Sequence, residues 1–314
     1  MILTALRDGM VAWAPAKLNL FLEVLDQRED GFHEIETLMV AVAIFDTIYL
    51  LATGEDRIRL TCETAVGAQA RARADGAASN LMGDVPESAD NLVVRAVERL
   101  RDEAGIRAGA TIRLIKRIPS AAGLGGASSD AAAALMAANA VWKLGWPRER
   151  LMQLAAGLGS DVPFFFGSGA AICRGRGERI EPLRVPARMH VVVVRPPVGL
   201  STAEVYRHCT PADRPVAIAP LRLALQCGEW SQVGRRLHNR LEPAAAKLTP
   251  WIHRLRSVFD RLDCLGQQMT GSGTSYYGIC RNAGHARRVA ARLRGQGLGY
   301  VAVATTLALP RPTP

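Results

Sequence analysis

The sequence predicts an α+β protein of two domains, divided near residue 167. Its 314 residues exceed the usual size of one domain, and 49% of them are hydrophobic, which is enough to form substantial cores. Charged residues make up 22% of the chain, a composition typical of folded rather than disordered proteins. Strand and helix patterns occur in two blocks, residues 1–167 and 168–314, and this division gives the predicted architecture.

The first block combines strand and helix patterns. Hydrophobic, β-branched runs between turn residues predict its strands. Apolar residues at helical spacing, alanine-rich composition and an Asp suited to the N-cap predict its helices. The expected strands are 18–25, 41–51 and 110–118, and the expected helices are 90–103, 128–142 and 150–158. The stretch 64–89 is rich in Ala, Gly and Arg without a sustained period, so we expect a surface excursion there.

The second block begins with a short apolar strand that ends at two prolines and continues with several helical patterns. Its strands are expected at 190–194, after a Gly-Ser-Gly turn within 267–279, and at 300–307. Its helices are expected at 219–228, 229–241, 249–261 and 286–294.

The net charge of +10 comes entirely from residues 231–314. Residues 1–230 carry 26 basic and 26 acidic side chains, whereas residues 231–314 carry 13 and 3. One hypothesis is therefore a nucleic-acid-binding protein that uses this basic region, which would bind with steep salt dependence. The region lacks interleaved aromatic residues and a recognisable binding motif, so the pattern favours a solvated surface.

The cysteines and the apolar runs indicate the cellular location. The six cysteines are far apart and form neither a CxxC motif nor a Cys/His cluster, so we expect a reducing cytoplasm. No run approaches the ~18 apolar residues that span a bilayer, and the first ten residues lack the pattern of a secretory signal.

A glycine-rich loop at residues 119–129 (PSAAGLGGASS) lies between a predicted strand and a predicted helix. Its three glycines allow close approach of a ligand to the backbone, and the start of the following helix favours anions. The loop matches neither the Walker A pattern nor the G-x-G-x-x-G dinucleotide fingerprint. A phosphate site is one interpretation, and a flexible turn before an alanine-rich helix is the other.

The loop resembles the P-x-x-x-G-L-G-x-x-S-S phosphate loop of the GHMP kinase superfamily. Further motifs are PAKLNLFL at 15–22, DGFHE at 30–34, LGSDVPFF at 158–165 and MTGSG at 269–273. In this order and spacing the motifs are similar to those of the family that phosphorylates 4-diphosphocytidyl-2-C-methyl-D-erythritol. The resemblance covers residues 13–307 approximately.

This resemblance implies a two-domain GHMP kinase fold with the active site in the interdomain cleft. Residues 1–167 would form the ATP-binding domain and residues 168–314 the substrate-side domain. The implied reaction phosphorylates the 2-hydroxyl of the cytidyl diphosphate ester with ATP and Mg²⁺, for isoprenoid precursor biosynthesis. The metal ligands stay undetermined, with Ser129 a candidate. Neither a nucleic-acid nor a membrane partner is implied, and the oligomeric state is open.

The resemblance also implies individual roles. Asp161 would orient the substrate alcohol and accept its proton late in phosphoryl transfer, and Lys17 would keep that carboxylate ionised and offset transition-state charge. A turn Asp and a solvated Lys are the alternatives for these two residues. The expected nucleotide-binding residues are Pro119, Ser120, Ala121, Ala122, Gly123, Leu124, Gly125, Gly126, Ala127, Ser128 and Ser129, with Asn91 and Lys116. For Asn91 a helix N-cap, and for Lys116 a strand-end surface position, are alternatives.

The expected substrate-binding residues are Asn19, Phe32, His33, Thr202 and Tyr206. Phe32 and Tyr206 could sandwich a cytosine ring while His33 binds its edge; core packing is the alternative for these aromatic residues. The family usually has Tyr where this chain has Phe32, which would cost a phenolic hydrogen bond. Another GHMP kinase of a small alcohol, such as homoserine, is the alternative enzyme.

Overall fold

The structure is a computed structural model that describes residues 1–65, 82 and 90–307. Its strands are β1 (Ile2–Leu6), β2 (Gly9–Gln27), β3 (His33–Thr53), β4 (Ile58–Thr64), β5 (Gly109–Lys116), β6 (Ala170–Gly175), β7 (Arg179–Pro182), β8 (His190–Arg195), β9 (His238–Asn239), β10 (Gly266–Met269), β11 (Tyr276–Cys280) and β12 (Tyr300–Thr305). Its α-helices are α1 (Leu92–Glu103), α2 (Gly126–Val141), α3 (Arg148–Ala156), α4 (Thr202–Arg207), α5 (Ala219–Cys227), α6 (Trp230–Arg235), α7 (Glu242–Leu248), α8 (Trp251–Phe259) and α9 (Ala283–Arg294). Of the predicted excursion at 64–89, only residues 64, 65 and 82 lie within the described part.

Two sheets organise the chain. The first has the order β1-β2-β3-β5-β4, with β6 joining β3, β7 joining β6, and β9 joining β2. The second has the order β10-β11-β8-β12. The mixture of helices with largely antiparallel sheets confirms the predicted α+β class.

A long β-hairpin, formed by β2 and β3, is the centre of the first sheet. The two strands pair antiparallel along nearly their whole length, with register shifts that include one between Asn19 and Phe21. Both strands extend well beyond the predicted 18–25 and 41–51, because their outer residues pair with neighbours despite a mixed polar and apolar pattern. Lys17 and Asn19 are two residues apart on β2 and therefore share one face.

Helix α2 packs almost completely inside the molecule. Ten of its residues are buried, most of them alanines, so the helix lies close against β2, β3 and α1. Small side chains permit this close approach, and the core around them includes Leu135 together with apolar residues of α1 and the sheet. The N-terminus of α2 is thereby held at a fixed place beneath the glycine loop.

Two strands that follow residue 167 belong to the first sheet. Strand β6 pairs with β3 and β7 pairs with β6, so residues 170–182 extend the first sheet although the sequence assigns them to the second block. The prediction of one helix over 229–241 is wrong in its second half, where β9 adds parallel to β2. The segment 267–279 contains the predicted strand after the Gly-Ser-Gly turn, which is β11, and a further strand, β10, precedes the turn and pairs with β11.

A buried ion cluster joins β2 to the second half of the chain. The Glu23 side chain is fully buried, and its carboxylate accepts hydrogen bonds from Arg240 Nε (2.6 Å) and Nη2 (2.9 Å) and from the Val216 N–H (2.9 Å). His238 Nε2 lies 3.1 Å from the same carboxylate. Burial alone would raise the pKa of Glu23, but Arg240 and the other partners outweigh it and hold that pKa below its ordinary value.

We expect Glu23→Gln to lower the free energy of unfolding at neutral pH by about 2 kcal/mol, because it leaves Arg240 without its counter-charge. A depressed carboxyl pKa adds stability that is fully present above the unfolded pKa of about 4.3, and that is lost as the pH falls through the folded pKa. Denaturant titrations should therefore show the difference from wild type shrinking below that pH. Glu29→Gln, at an exposed position, is the control. An equal difference at pH 3 and pH 7 would contradict the assignment.

Candidate active site

A cleft of about 800 Å³ lies where the two sheets meet. It is lined by β2, the β2–β3 turn, the glycine loop, helix α4 and the turn between β10 and β11. Of the predicted site residues, the structure brings into this cleft Lys17, Asn19, Phe32, His33, Asp161, Thr202, Tyr206 and the loop from Pro119 to Ser128. These residues span the chain from position 17 to position 206, and the fold makes them neighbours.

A buried ammonium lies beside a partly exposed carboxylate in the cleft lining. Lys17 Nζ lies 3.5 Å from Asp161 Oδ2, and their side chains are 4% and 35% exposed. Lys17 Nζ also donates to Asn19 Oδ1 at 2.6 Å, and Asn19 Nδ2 donates to Thr37 Oγ1 at 2.8 Å. The ammonium is therefore held between two acceptors, while the carboxylate keeps access to the cleft.

Asp161 is positioned by the apolar segment that follows it. Residues Pro163–Phe166 form a 3₁₀ turn whose side chains are all buried. Because this PFFF segment is anchored in the core beside α2 and α3, the residue two positions earlier is held at the cleft wall. The sequence motif thus places an ionisable group at the border of a hydrophobic core.

The glycine loop comes close to Lys17. The Lys17 N–H donates to the Leu124 carbonyl at 2.9 Å, and helix α2 begins directly after Gly125, which has φ 70°. A β-carbon at Gly125 would lie 2.9 Å from Lys17 Cγ and 3.1 Å from Phe165 Cζ. Glycine is required there both for the left-handed backbone and for the contact with the lysine.

Thr270 joins the glycine loop to β2 from the second sheet. Its hydroxyl lies 3.3 Å from the Gly123 carbonyl and 3.3 Å from Asn19 Oδ1, and it accepts from the Asn19 N–H at 3.0 Å. Asn239 Nδ2 donates to the Met269 and Gly271 carbonyls, both at 2.9 Å. The MTGSG turn is therefore fixed against the loop from both sides.

Lys116 lies outside the lining of the cleft, and its contact with a nucleotide stays a prediction. The sequence predicts that it binds the nucleotide, but its side chain is buried and does not line the cleft. Its Nζ lies 2.5 Å from Asp46 Oδ2 and 2.7 Å from Asp130 Oδ2. Burial alone would lower the pKa of Lys116, yet the two carboxylates outweigh the effect of burial and raise that pKa. Burial raises the pKa of Asp130. Lys116 thus links β3 and β5 to the first turn of α2.

Two further predicted nucleotide residues lie outside the cleft lining. Ser129 is fully buried in the first turn of α2. Asn91 is the N-cap of α1, with its Oδ1 accepting from the Val93 N–H at 2.9 Å. The capping alternative for Asn91 is therefore observed, and its contact with a nucleotide stays a prediction.

Aromatic rings also line the cleft. The rings of His33 and Tyr206 lie 5.1 Å apart at 36°, and Phe32 is half exposed. Burial lowers the pKa of His33, which favours a neutral imidazole. Burial raises the pKa of the Tyr206 hydroxyl, and the Asp161 charge raises it further. Thr202 Oγ1 lies 2.9 Å from Ser272 Oγ, so α4 contacts the MTGSG turn here.

Sequence reasoning missed Arg176 and Thr37. The Arg176 guanidinium lies 4.7 Å from the centre of the Phe32 ring, and it lines the cleft. It stands in a Gly-Arg-Gly turn, where a charged residue between glycines was the available signal. Thr37 holds Asn19 from the neighbouring strand, a contact that appears only once the β2–β3 register is known.

Known proteins have sequences similar to that of this chain. The protein family described as "GHMP kinases N terminal domain" matches residues 91–169, and the family described as "GHMP kinases C terminal" matches residues 221–297. The chain is 41% identical to a 4-diphosphocytidyl-2-C-methyl-D-erythritol kinase of Pelotomaculum thermopropionicum, over 94% of each protein. It is 36% identical to the enzyme so named from Shouchella clausii, over 90% of this chain and 89% of the relative. The chain belongs to the 4-diphosphocytidyl-2-C-methyl-D-erythritol kinase family.

Solved structures agree with this family membership. A crystal structure of 4-(cytidine 5'-diphospho)-2C-methyl-D-erythritol kinase matches with a TM-score of 0.76 and 33% identity, over 95% of this chain and all of the other. A homoserine kinase from Cytophaga hutchinsonii matches with a TM-score of 0.73 and 20% identity, over 98% of both chains, which shows a shared fold. The two-domain GHMP kinase fold of this family member is thereby confirmed.

Proposed function

We propose that the chain transfers the γ-phosphoryl group of ATP to the 2-hydroxyl of 4-diphosphocytidyl-2-C-methyl-D-erythritol, a step of non-mevalonate isoprenoid precursor biosynthesis. The observation that carries the proposal is one cleft that is lined both by the Lys17–Asp161 pair and by the His33–Tyr206 ring pair. Such a cleft suits a substrate with a reacting alcohol at one end and a nucleobase at the other. The names of the relatives support the same reaction.

The proposed donor is ATP with its Mg²⁺, bound with its phosphates along residues 119–128. Unpaired backbone N–H groups at the start of α2 and its helix dipole favour anions at this point. A Mg²⁺ ion that keeps phosphate oxygens and waters needs only one or two protein oxygens. Ser129 Oγ, buried and without a hydrogen-bond partner among the described residues, is the candidate for one of them. ATP supply makes the cytoplasm the proposed location.

The proposed chemistry is an in-line transfer. The substrate oxygen attacks the γ-phosphorus while the bond to the β-phosphate oxygen breaks, and the alcohol proton passes to Asp161 as the new P–O bond forms. Lys17 supplies a positive charge within 3.5 Å of that carboxylate and offsets charge on the transferring group. Asn19, which is itself held by Thr37, binds the ammonium so that little reorganisation is needed during the reaction.

The proposed cytosine site consists of the aromatic residues that line the cleft. His33 and Tyr206 offer ring faces and edges, and Phe32 adds a half-exposed ring over which Arg176 is stacked. A flat base can stack on such rings while polar atoms bind its edge. Phe32 provides stacking without a hydroxyl, so in this chain the edge of the base depends more on His33.

The test compares acceptors in one assay. With purified protein, ATP and Mg²⁺, we expect ADP release with 4-diphosphocytidyl-2-C-methyl-D-erythritol and none above background with homoserine. Phosphorus NMR should assign the new phosphate to the 2-position. Activity with homoserine alone would overturn the proposal, because homoserine has no base for the aromatic residues of the cleft to bind.

A further inference from the structure

Arg195, the last residue of β8, is a buried cation without a counter-charge among the described residues. It is 3% exposed, and its Nε and Nη1 have no hydrogen-bond partner among the described residues. The two buried lysines, Lys17 and Lys116, each lie within 4 Å of a carboxylate, whereas Arg195 has no such carboxylate in residues 1–65, 82 and 90–307. The charge of Arg195 is thus unexplained by packing within the protein.

The guanidinium lies directly behind the first residues of the phosphate loop. Its Nη2 is 3.5 Å from the Ser120 carbonyl, at the long limit of a hydrogen bond. A β-carbon at Gly199 would lie 3.7 Å from Nη2 and 3.0 Å from the Ala121 β-carbon, so the loop and the arginine share this packing contact. Ser120 and Ala121 themselves line the cleft.

This arrangement costs stability in the free protein. Removing a guanidinium from water without an opposite charge carries a desolvation penalty of several kcal/mol. Burial lowers the pKa of Arg195, yet an arginine stays protonated at neutral pH. A fixed positive charge in a poorly solvated place acts over a longer distance than an exposed one, and Arg195 is within 3.5 Å of Ser120, a residue that lines the cleft.

We propose that Arg195 is a positioning residue for nucleotide binding, which holds the Ser120–Ala121 end of the phosphate loop and supplies positive potential there for the polyphosphate. The uncompensated charge is then balanced only when the anionic ligand occupies the cleft. This inference rests on the proposed use of ATP. It adds a residue from the second sheet to a site whose phosphate loop belongs to the first part of the chain.

The proposal predicts opposite effects on stability and on binding. Arg195→Met keeps the aliphatic length and removes the charge, so the melting temperature without nucleotide should equal or exceed that of wild type. The same variant should weaken ATP binding about tenfold in calorimetry, ADP less, and adenosine by less than about twofold, since the effect follows ligand charge. Arg195→Lys should keep ATP affinity within about threefold, because it retains the charge.

The control is Arg235→Met, which removes one positive charge from an exposed position and should change neither measurement. A purely structural role would lower the melting temperature of Arg195→Met and weaken ATP and adenosine alike, and this result would overturn the proposal. Unchanged ATP affinity in Arg195→Met would overturn it as well. If wild-type protein itself fails to bind ATP, the proposed function fails first, so the two failures are distinguishable.

Discussion

Asp161→Asn is expected to lower kcat by about 10³-fold while the fold stays intact. The amide keeps the size of the carboxylate but cannot accept the alcohol proton, and it cannot pair with the Lys17 ammonium 3.5 Å away. Because Asp161 is one-third exposed and packs at the border of the core, its replacement leaves the buried PFFF segment in place. Steady-state kinetics with both substrates, together with thermal melting, provide the measurement.

The expected KM for ATP makes this prediction specific. KM for ATP should change little in Asp161→Asn, since the proposed phosphate contacts come from the loop at 119–128. Asp161→Ala should lose at least as much turnover. Asp213→Asn, an exposed aspartate remote from the lining of the cleft, is the matched control and should retain wild-type kcat. Turnover in Asp161→Asn above a tenth of wild type would show that another group accepts the proton.

The local elements of the fold follow from sequence, whereas several sheet connections do not. The buried strand β8 and the helices α1, α2 and α9 have strong periodicity or composition, so the predictions at 190–194, 90–103, 128–142 and 286–294 find the right elements. Strand β9 has only two residues, and its place beside β2 depends on the buried Glu23–Arg240 cluster rather than on local propensity. Such long-range pairing leaves no periodic signal in the sequence.

The sequence is equally unable to predict the surroundings of individual lysines. Lys17 and Lys116 both stand on strands near the glycine loop, and each is almost completely buried. Lys17 faces the cleft beside Asp161, while Lys116 is enclosed by Asp46 and Asp130, which β3 and α2 bring to the end of β5. Motif resemblance identified the first lysine. Spacing alone could not exclude the second.

Lys17→Met is expected to reduce kcat by about 10²- to 10³-fold, because it removes the only described ammonium that pairs with Asp161. Methionine matches the length of the lysine and suits a site that is 4% exposed, so the melting temperature should change by only a few degrees. The KM values should change less than kcat if the charge acts mainly on the transition state.

Lys17→Arg should fail to restore activity, although it restores the charge. The space around Lys17 is closed by two glycines: a β-carbon at Gly125 would lie 2.9 Å from Cγ, and one at Gly271 would lie 3.1 Å from Nζ. A planar guanidinium would displace either the phosphate loop or the MTGSG turn, and it could not keep the 2.6 Å bond to Asn19 in the same geometry. Lys247→Met, on the exposed side of α7, is the matched control. Full activity of Lys17→Arg would mean that charge alone is sufficient, and that the compact ammonium held by Asn19 is not what the reaction requires.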